Sequence, residues 1–508
     1  MRKLTVINSL TGGVQVVIGA LISLATVPLF IHKMGSELYG VFSLIVVVNS
    51  LSVFTSFGFN YSLIKYLSEQ GKTVESDYDI LTAFIVLSVV LLPIAALGIL
   101  WNDAILSSVL HISANHLGAD TRWLFNFYVL AIVFLVLAQI PSAVLDSQQK
   151  VYVTNTSQVF YNLISRAAIL VSISLSTSLV WIGVVYFLST LIWFLVLAVL
   201  AYRSWGFFTA DHYLRNFTRV AKKHFSYGSR IYLTGAISFF YEPITKILIS
   251  RYIGLSEVGF FDIGLKVRSL VWSVPERLLY PMLPLIANAD TKAKARAMVH
   301  DVSQKLFFFV VPAGVTFAFV ARPIIALWIG NNVDIISFTT ILIVLGYLIV
   351  LPALPVYQFL TVKDHPGMTT LIQASNASIT IVLFYCLVPP LGYIGAVYAY
   401  SIAVASSFGF CLYFQHRFLD SLMFDSVSQI LKVAVIAAAI FLIDEVLCSR
   451  IDGMLLQALS VISINLVVSA LLARFVRLVS SSDIKRYTGQ FRSLERALCK
   501  ILVRPVLN

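Results

Sequence analysis

The chain has 508 residues, of which 59% are hydrophobic and 12% are charged, and its formal net charge is +12. A soluble globular protein is nearer half apolar and a quarter charged, so this composition excludes that class and indicates many membrane spans. The positive charge then fits cytoplasmic loops and anionic lipid headgroups, and no nucleic-acid partner is expected. The four cysteines and eight histidines show no metal-ligand spacing, so no metal and no other cofactor is expected.

Long apolar stretches predict about 14 transmembrane helices, because a bilayer requires roughly 20 apolar residues per helix. In chain order they are predicted at 10–31, 38–64, 79–101, 123–146, 151–176, 179–202, 228–253, 258–287, 303–329, 335–361, 368–389, 392–415, 427–447 and 453–473. Lys and Arg are concentrated in the loops after the sixth and eighth spans and in the C-terminal tail. This distribution predicts that both termini are cytoplasmic.

Two pairs of short motifs indicate that the bundle is duplicated. Residues 35–42 (GSELYGVF) and 254–261 (GLSEVGFF) share Gly at the first and sixth positions and Phe at the eighth. Residues 182–186 (IGVVY) return as 394–398 (IGAVY) at a similar offset. Structural repeats are typical of transporters, whose substrate sites lie between the repeats.

The repeats predict an all-α polytopic membrane protein with two pseudo-symmetric six-helix lobes and an appended helix pair. The predicted parts are an N-terminal lobe at 1–202, a cytoplasmic linker at 203–227, a C-terminal lobe at 228–415, helices 13 and 14 at 427–473, and a basic amphipathic cytoplasmic tail at 476–508. The tail has an apolar stripe at a spacing of three and four residues, which predicts an interfacial helix.

Polar residues within the fifth span lie on one helical face. Asn155, Gln158, Asn162 and Arg166 are spaced by three, four and four residues. Ionisable side chains are costly in a bilayer, so this face is expected to contact protein or water rather than lipid.

The seventh and eighth spans carry charged residues at helical spacing. Glu242 and Lys246 form one i,i+4 pair, Asp262 and Lys266 form another, and Arg277 lies about three turns beyond Lys266 on the same face. With Arg166, the cations outnumber the acids, and a cavity with that bias would attract phosphate or pyrophosphate. The alternative is that each pair neutralises itself and only holds the bundle together.

Several segments resemble those of Wzx-type flippases for O-antigen and other polysaccharides, in the multidrug/oligosaccharidyl-lipid/polysaccharide exporter superfamily. The similar segments are 35–42, 57–60 (FGFN), 254–261, 321–330 (ARPIIALWIG) and 391–396 (LGYIGA). Together with the predicted spans, the resemblance covers about residues 5–475.

The resemblance implies a MATE-like fold with two lobes around a central cationic cleft and alternating access from the two sides of the bacterial inner membrane. It implies transport of an undecaprenyl-pyrophosphate-linked oligosaccharide, the repeat unit of O-antigen, capsule or exopolysaccharide, from the cytoplasmic to the periplasmic leaflet. Membrane lipids, a glycan polymerase and a chain-length regulator are the partners implied.

The resemblance also implies roles for the charged residues. Arg166, Lys246, Lys266 and Arg277 are the candidates for holding the pyrophosphate, and Asn155, Gln158 and Asn162 line the same predicted lumen. Many relatives have an acid directly before the base of the seventh span, where this chain has Thr245. Glu242 or Asp262 could take that acid's role in ion coupling.

Three other functions are weighed against a polysaccharide flippase. A multidrug antiporter of the same superfamily would favour acidic rather than basic lumen residues. A lipid II flippase would differ only in its substrate. A membrane enzyme that builds or joins glycans is not expected, because it requires a large outer loop with catalytic acids or arginines, and the outer segments here are short.

Overall fold

The structure is a computed structural model. It describes residues 2–475 apart from 51, 53–56, 176–177, 207–212, 240, 280–285, 287–288, 290, 364–365, 422 and 424–426. It leaves out the side chains of most residues in 2–23 and 229–240 and those of 274, 277–278, 366, 427–429 and 470–475. The predicted tail at 476–508 lies outside the described residues. Within the described part the secondary structure is helical and contains no strand, which confirms the predicted all-α class.

Sixteen helices of nine residues or more define the described fold, and α1 to α16 number them in chain order. They are α1 Arg2–Val47, α2 Phe59–Gln70, α3 Val74–Leu100, α4 Ala119–Leu137, α5 Gln139–Ser147, α6 Val151–Leu175, α7 Leu179–Trp205, α8 Tyr213–Phe239, α9 Glu242–Tyr252, α10 Leu255–Leu279, α11 Lys292–Trp328, α12 Val333–Val350, α13 Leu354–Val362, α14 Pro366–Leu419, α15 Val427–Arg450 and α16 Met454–Phe475. Short helical turns join several of them.

The described residues contain eight helical stretches that are long and apolar enough to cross a membrane. One of them, Gly367–Leu419, includes two predicted spans, which Gly392 separates with a non-helical backbone (φ 57°, ψ −136°). The chain is therefore a multi-pass membrane protein, and the count of about 14 spans stays a prediction.

The second predicted span is not one continuous helix. A helical run from residue 38 to residue 64 was expected, but α1 ends at Val47, a short 3-10 turn follows, and α2 begins at Phe59. Gly58, directly before α2, has φ 71°, and a Cβ at this position would lie 2.6 Å from the carbonyl oxygen of Gly228 in α8. The positive φ and the close backbone approach together explain why glycine occupies position 58.

The predicted linker at 203–227 is mostly helical, since α7 extends to Trp205 and α8 begins at Tyr213. Tyr213 and Val220 lie on one face of α8 and form a buried cluster with Tyr78 of α3. The many basic residues suggested a loop, but the apolar side chains between them give α8 a face that packs on α3.

The chain divides into two compact units. The first contains residues 1–277 and 367–403, and the second contains 278–366 and 404–508. The lobe boundaries predicted from the repeats stay a prediction. Within the second unit, α15 packs on α11 through Phe308, Val433, Ile436 and Ile440.

The two glycine motifs of the predicted repeat pack against each other within the first unit. A Cβ at Gly40 would lie 1.8 Å from the carbonyl oxygen of Leu255, and a Cβ at Gly259 would lie 3.2 Å from that of Ser36. The contact is reciprocal, because the glycine at the sixth position of each motif packs against the residue at the second position of the other motif. The hydroxyl groups of Ser36 and Ser256 are 3.1 Å apart at the same crossing. This crossing brings α1 against α10.

Candidate functional site: a buried cationic cluster

Asp262 is the centre of a cluster of charged and hydroxyl side chains. The cluster lies next to the contact of α1 with α10 at Gly40 and Gly259, which we call the glycine crossing. Lys246 Nζ lies 2.5 Å from Asp262 Oδ1, and Lys266 Nζ lies 2.8 Å from Asp262 Oδ2. The hydroxyl group of Tyr39 donates to Asp262 Oδ2 at 2.5 Å and accepts from Lys266 at 2.6 Å. Lys246 also donates to the Ser43 hydroxyl group at 3.0 Å. We call these five residues the Asp262 cluster.

Three helices supply the Asp262 cluster. Tyr39 and Ser43 are one turn apart on α1, and Asp262 and Lys266 are one turn apart on α10, because residues four positions apart share a helical face. Lys246 comes from α9. The glycine crossing holds α1 against α10 one turn away, and this close approach lets Tyr39 reach Asp262.

The cluster has a surplus of positive charge. Its two lysines and one carboxylate give a net charge of +1, and a buried charge is stable only when it is paired and hydrogen-bonded. The side chains of Lys246 and Asp262 are each 10% exposed, whereas that of Lys266 is 21% exposed. Lys266 is therefore the more accessible of the two ammonium groups.

Glu242 does not pair with Lys246 as the i,i+4 spacing suggested. Its carboxylate instead accepts a hydrogen bond from Arg268 of α10, and the Tyr400 hydroxyl group donates to it at 3.4 Å. Lys246 forms its ion pair with Asp262, so each ion pair joins α9 to α10. Sequence spacing alone could not indicate this, because pairing between helices depends on how they pack.

The polar face of α6 lies half-buried, and Gln158 donates to Asn162 at 3.5 Å. A Cβ at Gly19 of α1 would lie 3.5 Å from Asn162, so this face is turned toward α1. Asn155 is also half-buried and has polar interactions.

Arg166, on the same helix, is close enough to interact electrostatically with Tyr39 and Lys266. Among the side chains that the structure describes, Arg166 has no carboxylate partner. Its charge therefore adds to the positive potential around the Asp262 cluster. The side chain of Arg277, the fourth predicted cation, lies outside the described part of α10.

Three residues of this region were not identified as candidates from the sequence. Tyr39 and Ser43 are uncharged, and Arg268, two residues after Lys266, does not share the helical face of Lys266 and Arg277. Tyr39 does lie within the first glycine motif, so the repeat itself marked its position.

A second polar network joins α2, α3 and α8. The Ser62 hydroxyl group lies 2.7 Å from His224 Nδ1, His224 Nε2 lies 3.1 Å from Asp79 Oδ1, and Lys223 Nζ lies 2.7 Å from the same oxygen. The order of serine, histidine and aspartate resembles a hydrolase triad. All three are completely buried, however, so they cannot reach a substrate, and we interpret the network as a structural contact between helices.

Comparisons with known proteins identify a family and a fold for this chain. The family model described as polysaccharide biosynthesis protein matches residues 8–282. The lipid II flippase MurJ in an inward closed conformation is similar in structure, with a TM-score of 0.75 and 17% sequence identity over 92% of this chain and 99% of that chain.

Two multidrug transporter structures are similar at lower scores. A multidrug resistance MATE family transporter of the MOP superfamily has a TM-score of 0.57 and 14% identity, covering 79% of this chain and 95% of its own. A mutant of the Vibrio cholerae MATE transporter VcmN has a TM-score of 0.55 and 12% identity, covering 83% and 99%. At these identities the likeness shows the fold, which is the predicted MATE-like one. A search of curated protein sequences found no match.

Proposed function

Because the chain belongs to the polysaccharide biosynthesis protein family, we propose that it is a flippase for an undecaprenyl-pyrophosphate-linked oligosaccharide. It carries the repeat unit of O-antigen, capsule or exopolysaccharide from the cytoplasmic to the periplasmic leaflet of the bacterial inner membrane. Both termini are cytoplasmic in this proposal. A glycan polymerase and a chain-length regulator use the product.

The surplus of positive charge at the Asp262 cluster is the observation that carries this proposal. Lys266 is partly accessible, and Arg166 acts on it from α6. Phosphate oxygens accept strong hydrogen bonds from ammonium and guanidinium groups. A site that recognises organic cations would instead present unpaired carboxylates, whereas Asp262 is held between two lysines.

A pyrophosphate with attached sugars cannot cross hydrocarbon unaided, because an unpaired charge in an apolar medium is prohibitively unfavourable. Fixed cations beside a hydrated path offset that penalty for the headgroup, while the isoprenoid tail stays in the bilayer. In this mechanism Lys266 and Arg166 contact the pyrophosphate. Lys246, more deeply buried, positions Asp262 and thereby Lys266.

The remaining predicted residues have proposed roles along the same path. Asn155, Gln158 and Asn162 donate and accept hydrogen bonds with sugar hydroxyl groups, and Arg277 provides a further cation for the pyrophosphate. Glu242 and Asp262 are the candidates for ion coupling. Each is already paired with a base, so substrate phosphate would compete with a carboxylate for the same cation.

Lipid II is the alternative substrate, because the similar structure at TM-score 0.75 is described as a lipid II flippase. At 17% sequence identity, this likeness does not distinguish lipid II from another lipid-linked substrate. The proposed mechanism is the same for both. Multidrug antiport is less well supported, because the Asp262 cluster is basic.

The test is deletion of the gene, followed by extraction of lipid-linked glycans and assignment of their leaflet. The proposed function predicts that undecaprenyl-pyrophosphate oligosaccharide accumulates in the inner leaflet and that surface polysaccharide is lost. Accumulation of lipid II with arrested cell-wall growth would identify the alternative substrate. Normal polysaccharide together with increased sensitivity to cationic drugs would contradict the proposal and support antiport.

A further inference from the structure

The appended helices α15 and α16 contain a buried polar group that the transport mechanism above does not use. The buried face of α15 consists of Val433, Ile436, Ile440 and, one turn further, Asp444. Asp444 is 0% exposed. Its carboxyl group therefore lies at the end of a stripe of apolar side chains that packs on α11. An ionisable residue inside a membrane helix indicates a function unless a partner neutralises it.

Asparagine and threonine side chains from two other helices meet Asp444. Asn465 of α16, 3% exposed, places its Nδ2 2.9 Å from Asp444 Oδ1 and 2.8 Å from Asp444 Oδ2. The same nitrogen lies 2.8 Å from the Thr316 hydroxyl oxygen of α11. That hydroxyl group donates its own hydrogen to the carbonyl oxygen of Pro312 at 3.0 Å. We call Thr316, Asp444 and Asn465 the Asp444 site.

The hydrogen-bond count of the Asp444 site does not balance when the carboxyl group is ionised. The amide nitrogen has two hydrogens, but three acceptor oxygens surround it. The amide oxygen of Asn465, also buried, has no hydrogen-bond partner among the described residues. A buried polar atom without a partner is rare and requires an explanation.

The charge of the Asp444 site does not balance either. Among the described side chains, no cation lies within ion-pair distance of Asp444. On α15 itself, Lys432, Glu445 and Arg450 are exposed. On α11, Arg322 is paired with Asp334, and the described side chains of α16 include no charged group. An ionised carboxylate here would be an uncompensated buried charge, which is strongly unfavourable.

We propose that Thr316, Asp444 and Asn465 form a binding site for a monovalent cation, either Na⁺ or a proton, which neutralises the buried carboxylate. Rotation of the side-chain amide group of Asn465 would exchange its oxygen and its nitrogen. The oxygen, which now has no partner among the described residues, would then face Asp444 and Thr316. Two carboxylate oxygens, one amide oxygen and one hydroxyl oxygen would then face a common point, a ligand set that suits a hard cation. The same amide oxygen would accept the hydrogen of a protonated Asp444.

The Asn465 amide thus donates to the carboxylate when the site is empty and turns its oxygen toward the cation when the cation is bound. Because the three residues come from α11, α15 and α16, cation binding changes the contacts by which the appended pair is held to α11. The Asp444 site does not include Glu242 or Asp262, so its existence does not depend on the proposed flippase activity.

The test uses the purified full-length protein and measures its unfolding temperature in NaCl and in choline chloride at equal ionic strength. A ligand that binds only the folded state raises this temperature with concentration. If Na⁺ is the ligand, NaCl raises it in the wild type and in Glu445→Gln, the exposed neighbour on α15, but not in Asp444→Asn. Thr316→Val, which keeps the carboxyl group, requires a higher Na⁺ concentration for the same shift.

A second arm detects the proton. If the ligand is a proton, infrared difference spectra between acidic and alkaline pH show a carboxyl C=O band that shifts in D₂O. This band is absent in Asp444→Asn and persists in Glu445→Gln. In Thr316→Val the band remains, but its titration midpoint is displaced. The Thr316→Val variant keeps both arms informative if Asp444→Asn fails to fold. The proposal is overturned if neither an Asp444-dependent Na⁺ effect nor an Asp444 band is found, or if the Na⁺ effect persists in Asp444→Asn.

Discussion

At the scale of single residues, the central feature is a carboxylate that two lysines share. Asp262 contacts Lys246 and Lys266 through different oxygens, and Tyr39 links Lys266 to the same group. One carboxylate cannot neutralise two ammonium groups, so the cluster keeps a positive charge without leaving any cation unpaired. That arrangement is compatible both with stability in a membrane and with the proposed binding of a pyrophosphate.

Substitution of the accessible lysine tests its role in binding. Lys266→Ala is expected to weaken binding of undecaprenyl-pyrophosphate oligosaccharide by roughly ten- to hundredfold in Kd, because a hydrogen bond to a charged group contributes about 1.5–3 kcal/mol. Binding to purified protein measures this. Arg322→Ala removes an exposed base in the second unit and is the control, with no expected change in Kd. Equal affinity of Lys266→Ala and wild type would contradict the assigned role.

The shared carboxylate itself is expected to be a stability residue. Asp262→Asn leaves the buried ammonium group of Lys246 without its ion pair, and such a loss costs about 3–5 kcal/mol. The double variant Lys246→Met with Asp262→Asn removes that unpaired charge and should recover part of the unfolding temperature. If Asp262→Asn unfolds at the wild-type temperature, the ion pair does not stabilise the fold.

At the scale of helices, the glycine crossing determines where the charged side chains meet. Gly40 and Gly259 allow α1 and α10 to approach within backbone contact, and Tyr39 and Asp262 follow one turn or less away. The repeated motif is therefore a packing motif in the first place. It contributes to the site by fixing the distance between the two helices.

A methyl group at the crossing tests this packing. Gly40→Ala places a Cβ 1.8 Å from the carbonyl oxygen of Leu255, and since a backbone atom cannot move aside cheaply, we expect a loss of about 1–3 kcal/mol or more. The matched control is Gly409→Ala on α14, where a Cβ meets nothing within 4 Å. There we expect no loss and up to about 1 kcal/mol of gain from helix propensity. Thermal unfolding in detergent distinguishes the two, and equal unfolding temperatures would contradict the crossing's role.

The contact between α3 and α8 offers a similar comparison of a buried and an exposed ion pair. Asp79→Asn removes the completely buried carboxylate that contacts Lys223 and His224 and is expected to cost about 3–5 kcal/mol. Glu75→Gln breaks the exposed pair with Arg219 between the same two helices and should cost at most about 1 kcal/mol. The difference in unfolding temperature between these variants is the measurement. Similar losses for both would mean that burial of Asp79 has no special effect.

Sequence patterns predicted the helices better than the contacts between them. The breaks at Gly35 and Gly392 fall at predicted boundaries, because runs of apolar residues and glycines are visible in the sequence. The pairing of Lys246 with Asp262 rather than Glu242 depends on how α9 and α10 pack, which no local spacing encodes. The apolar face of α8 was also not predicted, because the basic side chains between its apolar residues indicated a loop. Asp444, within a predicted span, could have been identified by its charge alone.

At the scale of the whole molecule, family, fold and charge lead to one account. The polysaccharide biosynthesis family covers residues 8–282, which include Arg166 and the whole Asp262 cluster. The fold likeness to a lipid II flippase and to multidrug transporters shows that one architecture serves different cargo. In the proposed function, the basic side chains of the Asp262 cluster and Arg166 select the substrate.

The measurement that tests this account most directly is leaflet-resolved export of lipid-linked oligosaccharide in cells that carry Arg166→Ala, Lys266→Ala or both. Each variant is compared with wild type and with Arg322→Ala at equal abundance in the membrane. We predict that each single variant reduces export, that the double variant abolishes it, and that the oligosaccharide accumulates in the inner leaflet. Full export by both single variants and by the double variant would contradict the cationic site.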